Sequence, residues 1–285
     1  MEYNSKIRMG TVLLNVKNLK KATEYYMESI GLSVLDKGEG FTELGVEGKN
    51  EPIIRLEKTE VEEDESYGLY HLALLLPKRS DLGNIFKHFL LNKVPLIGAS
   101  NHGYSEAIYL EDPEGNGIEI YRDLPQEYWD IRENGNIIGI TEAMDAQGVL
   151  DSGNLATSHY RLPKGTIVGH VHLTVRDAHV SSQFYREIFN LNDKMTISSG
   201  SWIASGSYHH HLAVNNWKGA YLSRRTEKAL GIGYFTIGVK DRAEYDRILK
   251  NLNNRNIEIE NVSETEFFIE DPDGIRIKVM VDSKG

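Results

Sequence analysis

The sequence predicts an α+β fold of four βαβββ modules arranged in two tandem duplicated halves. Three observations carry that prediction. EDPEGNGIEIY at Glu111–Tyr121 returns as EDPDGIRIKV at Glu270–Val279, an offset of 159 residues. MGTVLLNV at Met9–Val16 returns as VGHVHLTV at Val168–Val175 with the same offset, and Tyr25-Tyr26 falls on Phe184-Tyr185. One match could be chance; an offset held at three places marks a duplicated unit of roughly 150 residues.

Taken in order, Thr11–Val16 alternates weakly and reads as a strand. Leu19, Ala22, Tyr26 and Ile30 recur at helical spacing, and Gly31 ends that helix. Thr42–Val46 and Ile53–Leu56 are further strands. A second unit opens at Tyr70–Leu76, continues as a helix over about Ser80–Asn92, and closes with Ile108–Leu110 and Gly117–Tyr121 around the tight turn DPEGNG. In the second half, Val171–Val175, a helix at Val180–Ile188, Ile203–Ala204 and His209–Val214 repeat the plan. Tyr234–Val239, a helix near Arg242–Asn253, Glu266–Ile269 and Arg276–Val281 repeat it again. The modules span about 8–60, 68–123, 167–223 and 231–282. They group as a first bi-module (1–123), a linker (124–164) and a second bi-module (165–285). The linker has no firm periodicity, with Trp129 as its candidate anchor and one short helix predicted near Thr141–Val149. Connections this long usually have a packing or functional role.

With 285 residues and 40% apolar content, the chain can bury a sizeable core. No apolar run has the length of a membrane span, and MEYNSKIRMG lacks the apolar stretch of a signal peptide, so a cytoplasmic protein is expected. The net charge of −10, with no basic block, argues against nucleic acid as a partner, and no membrane partner is expected. The acidic run VEEDES at Val61–Ser66 reads as a solvated loop. There is no cysteine, so thiolate ligands, disulfides and a cysteine nucleophile are all excluded, and any metal must be held by nitrogen and oxygen.

Histidine is the informative residue type. A lone histidine in a strand such as YHLALLL is more often a packed residue than a ligand, and the HHH run at His209–His211 could be an exposed polar patch. Recurrence of position favours the ligand reading. His71 and His170 open the first strands of modules two and three, while Glu119 lies on the last strand of module two and His211 on that of module three. Alternation places His209 and His211 on one face and His210 on the other. If modules two and three pair, His71, Glu119, His170 and His211 converge. If modules pair one with two and three with four, the ligands are split between two clefts. The ligand chemistry favours two with three. Modules one and four carry Thr11, Tyr234 and Lys278 at the corresponding places, which is not a metal-binding set. Two imidazoles and a carboxylate form a facial triad with open positions for substrate and dioxygen. Fe(II) is the first expectation, with Mn(II), Zn(II) and Ni(II) as alternatives. His209 or His172 is the candidate proton carrier. Tyr221 and Tyr234 are weaker candidates for orienting a substrate oxygen, since the 15 tyrosines are scattered along the chain.

GHVHLTVRD followed by QFYREIFNL, YHLAL, and EDPEGNGIEIY resemble the vicinal oxygen chelate superfamily, which includes glyoxalases, bleomycin- and fosfomycin-resistance proteins and extradiol dioxygenases. Together with ALLLPKRSDL and YHHHLAVNNW they are similar to Bacillus catechol-2,3-dioxygenase-like proteins. The resemblance implies open paired barrels of βαβββ modules enclosing a metal held by first- and last-strand residues. On it, His71, Glu119 and His170 match ligand positions, and His211 or His209 falls near the fourth. It implies extradiol ring opening of catechol-like vicinal diols, with a small aromatic or oxygen-chelating substrate and dioxygen as partners. The alternatives are a glyoxalase-like metal-dependent isomerase or lyase and a non-enzymatic small-molecule binding or resistance protein. The strand edges left open by such module pairs could also join a second copy in a homo-oligomer.

Overall fold

The computed structural model describes residues 2–61, 65–154 and 159–281. Residues 62–64 of the acidic run, 155–158 of the linker and 282 at the end of module four lie outside the described residues. Each module is a strand, a helix and three more strands. Module one runs Ile7–Val16, helix Leu19–Tyr25, Ser33–Gly38, Phe41–Gly45 and Pro52–Lys58. Module two runs Gly68–Leu75, helix Arg79–Leu91, Gly98–Asn101, Ser105–Glu111 and Gly117–Asp123. Module three runs Ile167–Thr174, helix Ala178–Phe189, Asn192–Ile197, Gly200–Ala204 and Leu212–Asn215. Module four runs Gly231–Val239, helix Arg242–Asn254, Glu260–Ser263, Glu266–Glu270 and Arg276–Val281.

Local chemistry sets these boundaries. Asn18, Asp177 and Asp241 cap their helices by accepting backbone N–H groups of the first turn. The first helix widens into a π turn over Tyr26–Ile30 and stops at Gly31, whose φ of 88° favours glycine. The second strand of each module has no counterpart among the strands the sequence predicts. These four strands lie at or next to the sheet edges and are half-buried to exposed, with Lys194 their one buried residue, so no buried face imprints a period-two pattern on them. The histidine run differs from expectation too. The last strand of module three begins only at Leu212, and His209–His211 form the loop entering it.

Two sheets result, and neither follows the halves of the chain. One has eight strands and joins modules one and four through antiparallel pairing of Ile7–Val16 with Gly231–Val239. The other has nine and joins modules two and three through antiparallel pairing of Gly68–Leu75 with Ile167–Thr174. Leu72, Leu74, Val171 and Leu173 from the second sheet and Val12, Leu14, Phe235 and Ile237 from the first belong to one continuous buried core. The linker adds the short strand Glu142–Ala143 beside Gly98–Asn101, and its helix, Ala146–Ser152, packs on helix Arg79–Leu91. The helices approach closely at Gly83, where a Cβ would lie 2.3 Å from the Val149 carbonyl oxygen. Trp129 is buried and donates its indole N–H to the Leu124 carbonyl at 2.8 Å. No helix among the described residues is long and apolar enough to cross a membrane.

The repeated phrase has a structural use. The Tyr26 hydroxyl donates to the Asp112 carboxylate at 2.9 Å, and the Tyr185 hydroxyl donates to Asp271 at 2.8 Å. Each bond runs from the helix of one module to the DP turn of the next, and so from one sheet to the other. Both aspartates are buried and also accept backbone N–H groups of their own turns. Tyr26→Phe and Tyr185→Phe should each lower stability by about 1–3 kcal/mol, read as a lower urea midpoint. The double variant should lose close to the sum.

Candidate metal centre

Two bulges aim the candidate ligands. In the pairing of Gly68–Leu75 with Ile167–Thr174, the register shifts once at Tyr70, before His71, and once at Gly169, before His170. Bulges bend a strand and redirect its side chains. At Gly169 only a hydrogen fits, since a Cβ would lie 1.9 Å from the Tyr121 hydroxyl. Beyond the bulges, His71 pairs with His172 and Ala73 with His170. Ala73 is in turn the parallel neighbour of Glu119. His71, His170 and Glu119 thereby leave three strands for the same concave face.

Their donor atoms meet. His71 Nε2 lies 3.0 Å from Glu119 Oε2, His170 Nε2 lies 3.2 Å from the same oxygen, and the two Nε2 atoms are 3.3 Å apart. With metal–ligand bonds of about 2.1 Å, neighbouring donors lie about 3.0 Å apart at a right angle and about 3.4 Å apart at a tetrahedral one. The three separations fall within that range, so the residues fit a first-row divalent cation. Among the described residues this is the one cluster of at least three His, Asp or Glu groups with that convergence. Burial alone would raise the Glu119 carboxyl, but its contacts with His170 first, and then His71, outweigh it and hold it well below the usual carboxylate range. Burial brings His170 down to about 4, so it stands as the neutral imidazole that a metal requires.

The fourth expected ligand does not join them. His211 Nδ1 accepts the Ser205 backbone N–H at 3.3 Å, and its Nε2 lies 3.4 Å from Ser5 Oγ, on the wall of another cleft. Strand register gives the reason. His172, the counterpart of Ala73, pairs with Ala213, so Ala213 occupies the module-three place that matches Glu119. An alanine has nothing to offer a metal, and three donors remain.

The expected catalytic residues separate in the same way. His209 is enclosed by Tyr104, stacked at 4.3 Å, and by Trp129 and Tyr208. Its Nε2 lies 2.9 Å from Asp123 and its Nδ1 lies 2.7 Å from His210 Nδ1. His172 reaches the cleft, but its Nε2 accepts from the Asn215 amide at 3.0 Å, and burial holds its pKa well below normal. Tyr221 is 84% exposed, beside a different opening. Tyr234 belongs to the other sheet, edge-on to Phe268. Neither tyrosine is brought to the cluster.

Three residues not singled out from the sequence occupy the cleft. His210 lies against His170, with ring centroids 4.1 Å apart. Since Asp123 can only accept, His209 donates to it through Nε2–H and accepts through Nδ1. His210 must then donate through Nδ1–H, which leaves its Nε2 as the acceptor. Tyr109 lies directly across from Glu119, and its hydroxyl donates to His102 Nε2 at 2.6 Å. His102 in turn donates Nδ1–H to the Ile140 carbonyl of the linker at 2.8 Å. Burial first, and then the Glu119 charge, raise the Tyr109 pKa, so the phenol keeps its proton. The hairpin at DPEGNG could have revealed Tyr109, because a pairing of Glu111 with Gly117 puts Tyr109 opposite Glu119.

Residues 8–120 match the family model described as the Glyoxalase/Bleomycin resistance protein/Dioxygenase superfamily. A catechol-2,3-dioxygenase of Bacillus subtilis (strain 168) is 32% identical over 269 residues, 93% of each chain. The chain belongs to this superfamily. Solved structures of the superfamily's fold agree. A putative dioxygenase from Bacillus subtilis superposes with a TM-score of 0.66 at 14% identity, over 99% of this chain and 86% of that one. Glyoxalase I from Zea mays gives 0.56 at 16% identity, over 96% and 92%. The duplicated halves, the paired βαβββ modules and a His-His-Glu cluster between two of them are thus set in a vicinal oxygen chelate fold. His71→Ala or Glu119→Ala should weaken Fe(II) or Mn(II) binding at least about a hundredfold in equilibrium dialysis, whereas His211→Ala should bind as the unmodified protein does.

Proposed function

We propose that this protein holds a divalent metal, Fe(II) foremost, on His71, His170 and Glu119 and opens the ring of catechol-like vicinal diols in the extradiol manner. One observation carries the reading. A three-donor cluster with Ala213 at the fourth place is ringed, within one cleft of about 650 Å³, by an imidazole acceptor and a tyrosine–histidine pair. Such a cluster leaves adjacent positions for two diol oxygens and dioxygen. The similarity to a protein named catechol-2,3-dioxygenase supports the same reaction.

When bound, the metal would supply charge to lower the acidity barrier of the diol and bring the reactants side by side. The remaining roles belong to the chain. His210 Nε2 takes a phenolic proton, and the bonds from Asp123 through His209 keep that nitrogen unprotonated beforehand. The Tyr109 hydroxyl, backed by His102, lies beside Glu119 to hydrogen-bond a substrate oxygen. In the overall reaction, the ring C–C bond next to one hydroxyl-bearing carbon breaks and both atoms of dioxygen enter the product. The proton lodged on His210 is returned, so catechol gives a hydroxymuconic semialdehyde with no further oxidant.

Anaerobic loading with Fe(II), then catechol and air, should produce the yellow absorbance of the semialdehyde. His210→Asn should lower kcat by about 10²–10⁴-fold while metal content stays unchanged. Rearrangement of a 2-oxoaldehyde adduct by the Zn(II) or Ni(II) form, without ring cleavage by the Fe(II) form, would favour the isomerase reading instead. Full activity in His210→Asn would remove that residue from the mechanism.

A further inference from the structure

The walls of the metal cleft carry a second message. Tyr70, Ile97, Ile140, Ile197 and Trp217 all line it, and all five are among the chain's exposed large hydrophobic side chains; Ile97 is 65% exposed and Trp217 48%. They form its rim. Deeper in, Trp202 and Met195 continue the apolar surface. The aromatic side is internally braced. Tyr70 meets His172 at 4.8 Å and Trp217 at 5.1 Å, while His172 meets Trp202 at 6.0 Å. The linker also borders the cleft, where the Gly139 N–H points at Met195 Sδ at 3.4 Å.

Among the described residues no lysine or arginine lines this cleft, and its carboxylates are Glu119 and Glu111. The chain does place cations on a cavity wall elsewhere. Arg8, Lys78, Arg79 and Arg122 all line the separate cleft of about 780 Å³ that holds His211. A carboxylate on the substituent, away from the metal, would therefore enter the cleft with no lysine or arginine to pair it, and would meet the exposed Glu111 carboxylate instead. Burying an unpaired charge costs far more than burying a hydrocarbon gains. An apolar substituent would instead cover surface that is otherwise left to water. The volume also exceeds the need of one ring, since clefts of several hundred Å³ enclose drug-sized ligands.

We infer that the substrate is an uncharged catechol carrying a bulky apolar substituent, alkyl or aryl, which reaches from the metal cluster out to the Tyr70–Trp217 rim. The inference rests on the ring-cleavage reading of this site. With the Fe(II)-loaded protein, kcat/KM should be about tenfold higher for 2,3-dihydroxybiphenyl or 4-tert-butylcatechol than for catechol, and about tenfold lower for 3,4-dihydroxybenzoate. Quenching of tryptophan fluorescence, with Trp202 and Trp217 on the walls, should give the same order of affinity without oxygen. Ile197→Arg should shift the preference toward 3,4-dihydroxybenzoate by about tenfold. Cleavage of all of these diols with 3,4-dihydroxybenzoate preferred would overturn the substrate class and leave ring cleavage standing. No cleavage of any of them would overturn ring cleavage, and the substrate class with it.

Discussion

Antiparallel pairing of Gly68–Leu75 with Ile167–Thr174 brings two histidines and, through Ala73, one glutamate onto a single surface. These strands lie almost a hundred residues apart, and neither contains a binding set alone. The two bulges within the pair turn His71 and His170 toward each other, while Leu72, Leu74, Val171 and Leu173 remain in the core. Position of the site and burial of the core are consequently one arrangement. A slip of register by one residue would send the two histidines into the core and the leucines into the cleft.

That pairing is held by contacts remote from the His-His-Glu cluster. Tyr26 and Tyr185 each cross from one sheet to the other to reach the aspartate of a DP turn. The chain thus joins modules one to two and three to four, while the sheets join one to four and two to three. The duplicated EDPEG and EDPDG phrases serve this joinery equally in both copies. Their difference appears further along the strand, where Glu119 faces the histidines. Lys278, by contrast, pairs with Glu266 at 2.9 Å in the other sheet. Arg55 bonds Glu43 and Glu57 in that same sheet. The surface equivalent to the metal cleft is occupied there by ion pairs.

Around the cluster, two hydrogen-bonded chains set the ring tautomers. An acceptor-only carboxylate at Asp123 dictates the tautomer of His209, which dictates that of His210. The Ile140 carbonyl does the same for His102 and thereby orients the Tyr109 hydroxyl. The linker is therefore not a passive connection. It supplies Ile140 to the second arrangement and Trp129 to the packing around His209, and it forms part of the cleft wall.

Much of this is legible in the sequence. The repeat of 159 residues, the alternating strands and the amphipathic helices are properties of nearby residues, and they defined four modules and placed His71, Glu119 and His170 at matching strand positions. The ligand set itself pointed to modules two and three as partners. The second strand of each module was not legible, because exposed edge strands carry no burial pattern. The HHH run misled for a related reason. Alternation holds only inside a strand, and in the entering loop it is His210, not His209 or His211, that meets the cleft. His102, His210 and the exclusion of His211, Tyr221 and Tyr234 depended on register and loop path across long separations. The sequence by itself determined which residue types were available and the first strand, helix and closing strands of each module, since these follow from local periodicity and turn chemistry. Only the tertiary structure decided which of them share a cleft and which proton sits where, because those follow from contacts between segments far apart in the chain.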